Sequence, residues 1–227
     1  MFDVRIPNLR WLEERGSMDT ILNADPTNEQ GLIMFYGPSN FTRWNAEKWN
    51  HRPLEEDIRR KDGSRAAVNH GFGTSSAEEL LYYYPRLVRP WNPRALVLTT
   101  GNNWSYGYSA GEVCFLLTRI FEWARKDFPG IRLYTEVGRP SPNRKKSSDA
   151  TKNIIAEFEQ RIRNYAAAHE DVTLIDNSNN PAFFAPGHTG DYDFPREELF
   201  VEDGVHFNQA GYDVYRDAYL RALDDIL

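Results

Sequence analysis

Near its C-terminal end the chain reads Glu202-Asp203-Gly204-Val205-His206-Phe207-Asn208. A carboxylate and an imidazole three residues apart in a turn can meet, so that Asp203 holds one tautomer of His206 and leaves the other ring nitrogen to take a proton. A base held this way serves a nucleophile. The candidate is Ser39 in Phe35-Tyr36-Gly37-Pro38-Ser39-Asn40, where an apolar run stops at a glycine. Ser, then Asp, then His is one of the chain orders in which a hydrolytic triad is assembled. Each residue also has a plainer reading. Serine after glycine suits a turn, and Asp203 competes with Asn208 to cap the helix that follows.

Those residues must be brought together by the elements between them. The apolar run from Gly31 to Tyr36 predicts a strand buried on both faces, ending at Gly37-Pro38. A second strand is expected at Ala66 to Asn69, followed by the turn His70-Gly71-Phe72-Gly73 and a helix from Ala77 with caps at Thr74-Ser75-Ser76. Pro85 marks a break or kink in that helix. Ala95 to Thr100 reads as a third strand and Ala110 to Phe128 as a helix closed by Pro129-Gly130. Ile131 to Val137 is a fourth strand, and a Pro-rich loop follows it. Asp149 to His169 forms a helix with Ile154, Phe158, Ile162 and Tyr165 on one face, and Val172 to Asp176 is the fifth strand. A long loop at 177–200 precedes the last helix, from about Gln209, which buries Tyr212, Tyr215, Tyr219, Ala222 and Ile226. Residues 1–30 read as a short helix near 8–15 and an irregular arm.

Five short apolar strands separated by helices imply an α/β fold, a three-layer α/β/α sandwich with a five-stranded parallel sheet. Its working site is expected beyond the carboxyl ends of the strands. Ser39 follows strand one, the Gly71 to Thr74 turn strand two, and Asn102-Asn103 strand three, so all three should crowd one edge.

Four blocks in this order resemble the SGNH hydrolases, also called GDSL-type esterases and lipases, over about Gly31 to Ala222. Gly37-Pro38-Ser39-Asn40 is similar to the family's Gly-Asp-Ser start. Asn69-His70-Gly71-Phe72-Gly73-Thr74-Ser75 is similar to Asn-Arg-Gly-Phe-Gly-Gly-Ser, Gly101-Asn102-Asn103 to Gly-x-Asn-Asp, and Asp203-x-x-His206 to the last block. The resemblance implies a flavodoxin-like SGNH hydrolase fold in a single domain spanning 1–227, with the N-terminal arm at about 1–30. It also implies a serine esterase with Ser39, Asp203 and His206 as catalytic residues. The Ser39 and Gly73 or Thr74 backbone N–H groups and the Asn103 amide would form the oxyanion hole. Trp104, Phe72 and Asn40 are the substrate-binding candidates. No metal or organic cofactor is required by this chemistry, and the partner is a small-molecule ester, an O-acetyl group on a carbohydrate being one candidate. Pro38, Thr74 and Trp104 depart from the family pattern, and they motivate the competing reading, a binding protein that keeps the fold without turnover.

Composition fits these expectations. The 227 residues suffice for one α/β core, and 41% hydrophobic content with a net charge of −6 argues against a nucleic-acid or anionic-membrane partner. The start Met1-Phe2-Asp3-Val4-Arg5 lacks a signal-peptide pattern, so a cytoplasmic location is expected. The lone Cys114 lies in an apolar helical pattern and reads as a buried thiol. His51, His70 and His188 read as surface or loop histidines, and Arg139, Arg144, Lys145 and Lys146 as a solvated charge run. Phe183, Phe184, Tyr192 and Phe194 in the long loop are candidates either for the cleft or for packing on the domain.

Overall fold

A computed structural model describes residues 28–45, 49, 51–101, 103–185 and 195–227. The arm and helix expected before residue 28, Asn102, His188, Tyr192 and Phe194 lie outside the described residues. The chain runs β1 (Ile33–Tyr36), a single helical turn α1 (Ser39–Thr42), a second short turn α2 (Leu54–Asp57), β2 (Ala67–Asn69) and α3 (Ala77–Leu87). It continues through β3 (Ala95–Leu98), α4 (Ala110–Asp127), β4 (Arg132–Val137), α5 (Asp149–Ala167), β5 (Val172–Asp176) and α6 (Gln209–Leu223).

All strand pairs are parallel, in the order β2-β1-β3-β4-β5. The order in which strands are added therefore reverses between β1 and β3, the position at which such sheets form a crevice at their carboxyl ends. Alternation along β1 explains the two cores. Met34 and Tyr36 face the layer built by α3, α4 and α5, while Ile33 and Phe35 face α1, α2 and α6. Both faces are covered, which is why the strands are continuous apolar runs.

Local signals set the helix starts. Ser76 with Glu79 and Ser109 with Glu112 form capping boxes on α3 and α4. Asn208 caps α6 by accepting from Gly211 N at 3.1 Å, so Asp203 is left for other work. Pro85 sits in the last turn of α3, which continues to Leu87 without a break. On α5 the buried positions are Ile155, Phe158, Glu159 and Ile162, with Ile154 packed at the margin. Cys114 is half-buried, and burial raises its thiol pKa.

Candidate active site

Two residues separate the end of β1 from α1, and Ser39 is the first residue of α1, behind the extended Pro38. A first-turn amide has no acceptor within its own helix, so the Ser39 N–H is left without an intrahelical partner. Two contacts fix this turn against β2. Gly71 approaches so closely that a Cβ there would stand 2.6 Å from Phe41 Cβ and 2.8 Å from Thr42 N. The Asn69 amide donates to Phe41 O at 2.8 Å and accepts from Gly71 N at 3.0 Å, tying the β2 turn to α1.

The turn before α6 supplies the other groups. Asp203 Oδ1 accepts from Val205 N at 2.8 Å and His206 N at 2.9 Å, which closes the turn. Its Oδ2 meets His206 Nδ1 at 2.7 Å, and His206 Nε2 lies 2.8 Å from Ser39 Oγ, 167 residues away in sequence. The line Asp203, His206, Ser39 is thus continuous. Arg43 adds a charge at the far end, its Nη1 donating to the same Oδ2 at 3.2 Å while its guanidinium lies over the Trp49 ring at 4.2 Å.

The electrostatics follow. Burial raises the Asp203 pKa, but the hydrogen bonds from the His206 N–H, the imidazole and the Val205 N–H outweigh it and hold the carboxylate at about 2. For His206 burial is the largest influence and lowers the pKa. Asp203 opposes it, Arg43 and Arg139 reinforce it, and the net is a base that stays neutral below the ordinary imidazole range.

Asn103 opens a short 3-10 helix after β3 and is fully buried. Its Oδ1 accepts from Ala77 N at 2.8 Å and its Nδ2 donates to Thr100 Oγ1 at 2.8 Å, so the amide cannot flip and one Nδ2 proton remains for another acceptor. Thr74 adopts φ +64°, the left-handed conformation that glycine takes at no cost. The backbone at this position therefore keeps a glycine-like path despite its β-branched side chain. Trp104 lies against Phe158, ring centroids 5.5 Å apart, on the wall of a cavity of about 390 Å³.

Two substrate-binding expectations are corrected. Phe72 is buried between Tyr36 and Tyr83, at 5.9 and 5.7 Å, and belongs to the core. Asn40 is buried too, its amide donating to Tyr215 Oη at 2.7 Å and its carbonyl accepting from Tyr212 Oη at 2.9 Å. In both cases the residue next to a site residue points the opposite way, into the protein. The histidine expectation is also corrected: His70 is fully buried, its Nδ1 2.6 Å from Leu87 O and its ring edge-on to Trp91, and His51 is buried against Tyr212. Packing partners distant in sequence decide this. Phe183 and Phe184 pack in the core around Phe207 and α6.

Sequence reasoning missed a second group of residues. Arg139 and Arg144 are only partly exposed; both lie on the wall of the 390 Å³ cavity, beside the nearly buried Glu136 and Glu159. Glu136 accepts from Tyr215 Oη at 2.8 Å and Tyr219 Oη at 3.2 Å, and burial raises its pKa against the pull of Arg139 and both hydroxyls. The available signal was a glutamate at the end of an apolar strand, where a charge needs a reason.

Comparisons with known proteins bear on the family and the fold. Residues 35–214 match the model of the GDSL-like Lipase/Acylhydrolase family. A search of curated proteins returned no match. Among solved structures, a GDSL-like lipase from Bacteroides thetaiotaomicron superposes with a TM-score of 0.68 at 18% identity, covering 94% of this chain and 98% of that one. A member of the lipolytic G-D-S-L family from Veillonella parvula gives 0.60 at 15% identity, over 86% and 98% of the two chains. A mutant acetyl-xylooligosaccharide esterase from Geobacillus gives 0.57 at 14% identity, over 86% and 94%. These likenesses establish the shared fold, and no helix among the described residues is long and apolar enough to cross a membrane. With the family match spanning most of its length, the chain belongs to the GDSL-like Lipase/Acylhydrolase family of hydrolases.

Proposed function

We propose that the chain is a serine esterase that hydrolyses a short-chain carboxylic ester through an acyl-enzyme, with Ser39 as nucleophile, His206 as general base and Asp203 as its orienting acid. The observation that carries this is the 2.8 Å approach of His206 Nε2 to Ser39 Oγ, with Asp203 2.7 Å behind the ring. His206 takes the hydroxyl proton as Ser39 Oγ bonds to the ester carbonyl carbon. The tetrahedral intermediate then collapses, and the leaving alcohol receives that proton from Nε2. Water attacks the acyl-enzyme by the same route, its proton passing to His206, and the acid departs as Ser39 Oγ is reprotonated.

Charge developing on the carbonyl oxygen would be met by the Ser39 N–H, the backbone N–H of Gly73 or Thr74 and the remaining Asn103 amide proton. The glycine-like path at Thr74 and the fixed Asn103 amide support this assignment. All of these groups belong to one hydrolase domain in this reading, and an O-acetyl group on a carbohydrate suits a cleft with polar walls and an aromatic side. The test is a p-nitrophenyl ester panel from acetate to octanoate, wild type against Ser39→Ala. Turnover that is highest on the short esters and absent in the variant is expected. Equal rates in the two proteins would remove Ser39 from the mechanism, and no hydrolysis by folded wild type would favour a binding protein on this fold.

A further inference from the structure

The cavity beside the triad is more strongly functionalised than an acetyl group needs. Its lining borders the chain neighbours of Ser39 and His206. Gly101 on its wall packs against Pro38, at 3.1 Å from a would-be Cβ to Pro38 Cγ, and Val205 on its rim precedes His206. The loop after β4 that carries Arg139 is pinned to the triad turn, since Ser141 Oγ and Asn143 N both donate to Gly204 O, at 2.7 and 3.0 Å.

Arg139 is the informative residue. Its side chain is only 24% exposed, yet among the described residues its one polar partner is Glu136 Oε1, 3.8 Å from Nε and beyond hydrogen-bond distance. The Glu136 oxygens already take the Tyr215 and Tyr219 hydroxyls. A guanidinium carries five N–H donors in a planar fork, and taking it out of water without acceptors is costly. Glu136 backs the Nε side, so the two Nη groups are the edge available to a ligand. Arg144 lines the same wall, its Nη2 3.5 Å from the buried Glu159. All four side chains line the cavity, the glutamates 7% and 6% exposed and the arginines 24% and 18%, so the arginines are the more accessible of the two pairs. Arg139 is also one of the charges that lower the His206 pKa, after burial and Arg43.

We propose that this cavity is a subsite for a carboxylate carried by the ester substrate, gripped by the Nη edge of Arg139 with Arg144 beside it. The proposal rests on the reading of Ser39 as nucleophile and narrows its substrate to anionic esters. A carboxylate matches the fork in bidentate geometry and supplies the charge that a neutral hydroxyl does not. It can belong to either half of the ester.

Two matched pairs separate those sources. In 4-acetoxybenzoate against methyl 4-acetoxybenzoate the charge lies on the alcohol half, and in monomethyl adipate against dimethyl adipate on the acyl half. Wild type is expected to favour the charged member of one pair in kcat/KM by about tenfold to a hundredfold, the scale of a hydrogen-bonded charge pair. Arg139→Met should collapse that ratio towards one, and Arg139→Lys, which keeps charge without the fork, should fall between. Circular dichroism confirms that each variant is folded, and the lysine variant alone decides if the methionine one is not. No preference in either pair, or a preference that survives Arg139→Met, overturns the subsite. If folded wild type hydrolyses no ester at all, the esterase reading fails separately. Calorimetric binding of 4-acetoxybenzoate and its methyl ester to Ser39→Ala, with and without Arg139→Met, then decides the subsite: Arg139-dependent binding of the carboxylate supports it, and no difference overturns it.

Discussion

Arg43 offers a quantitative test of the electrostatics at the triad. It bonds the same Asp203 oxygen that holds His206, at 3.2 Å against 2.7 Å, so guanidinium and imidazole stand on the order of 6 Å apart at most. At ~6 Å two unit charges repel by roughly 0.7 kcal/mol in bulk water and about 3 kcal/mol at an effective dielectric of about 20, and about 1.4 kcal/mol displaces a pH profile by one unit. Arg43 and Asp203 are 23% and 39% exposed, so solvent screening favours the lower end. The sign is unambiguous. Arg43 disfavours the imidazolium, and it also draws on the carboxylate that would stabilise it. Arg43→Gln removes both effects, so the His206 pKa rises. Because the neutral ring is the base, the acid limb of the kcat/KM profile should move to higher pH by about 0.5–1 unit. Activity on the alkaline plateau should change much less, and the displacement should shrink in 1 M salt, where the Debye length is about 3 Å. The assay is kcat/KM for a short p-nitrophenyl ester from pH 4 to 8 in both proteins. An acid limb that stays in place or moves to lower pH would refute the reasoning.

Other substitutions probe the supports of the site. Asn103→Ala should lower kcat by about 10²–10³ per folded molecule if its amide stabilises the oxyanion. It should also cost about 1–3 kcal/mol in urea unfolding, because Ala77 N–H loses its acceptor; full turnover by the folded variant would contradict the assignment. Thr74→Gly removes a β-branched side chain from φ +64°, strain of about 1–3 kcal/mol that the added chain entropy of glycine offsets only in part. A Tm higher by about 2 °C is expected, and a lower Tm would show that the side chain compensates for its backbone. Gly71→Ala drives a methyl group into Phe41 and the Thr42 backbone. Overpacking there should cost about 1–3 kcal/mol and displace α1, lowering kcat together with stability. An active variant of unchanged Tm would show the turn to be looser than described.

What could be read from the chain, and what could not, divides along a physical line. Strands buried on both faces leave continuous apolar runs, so all five were legible within two residues at each end, and their alternation with helices dictated parallel order. That Ser39, Asp203 and His206 would meet was legible because each lies where an element ends, and a turn there has few alternatives. Side-chain direction was not. Asn40 and Phe72 border site residues in sequence yet point into the core, because the rise of a helical turn or an extended segment rotates neighbours apart. The charges at 139 and 144 looked solvated because their partners, Glu136 and Glu159, come from a strand and a separate helix. Only the folded sheet brings those four together. His70 was hidden likewise, its acceptor Leu87 O lying across α3.

The most direct test of the central claim is covalent labelling of the folded protein with a fluorophosphonate, with the adduct located by mass spectrometry and its rate followed against pH. The account predicts stoichiometric modification of Ser39, slowing in acid as His206 gains its proton and abolished in His206→Ala. A protein that stays unlabelled while folded, or that labels at another serine, would contradict it.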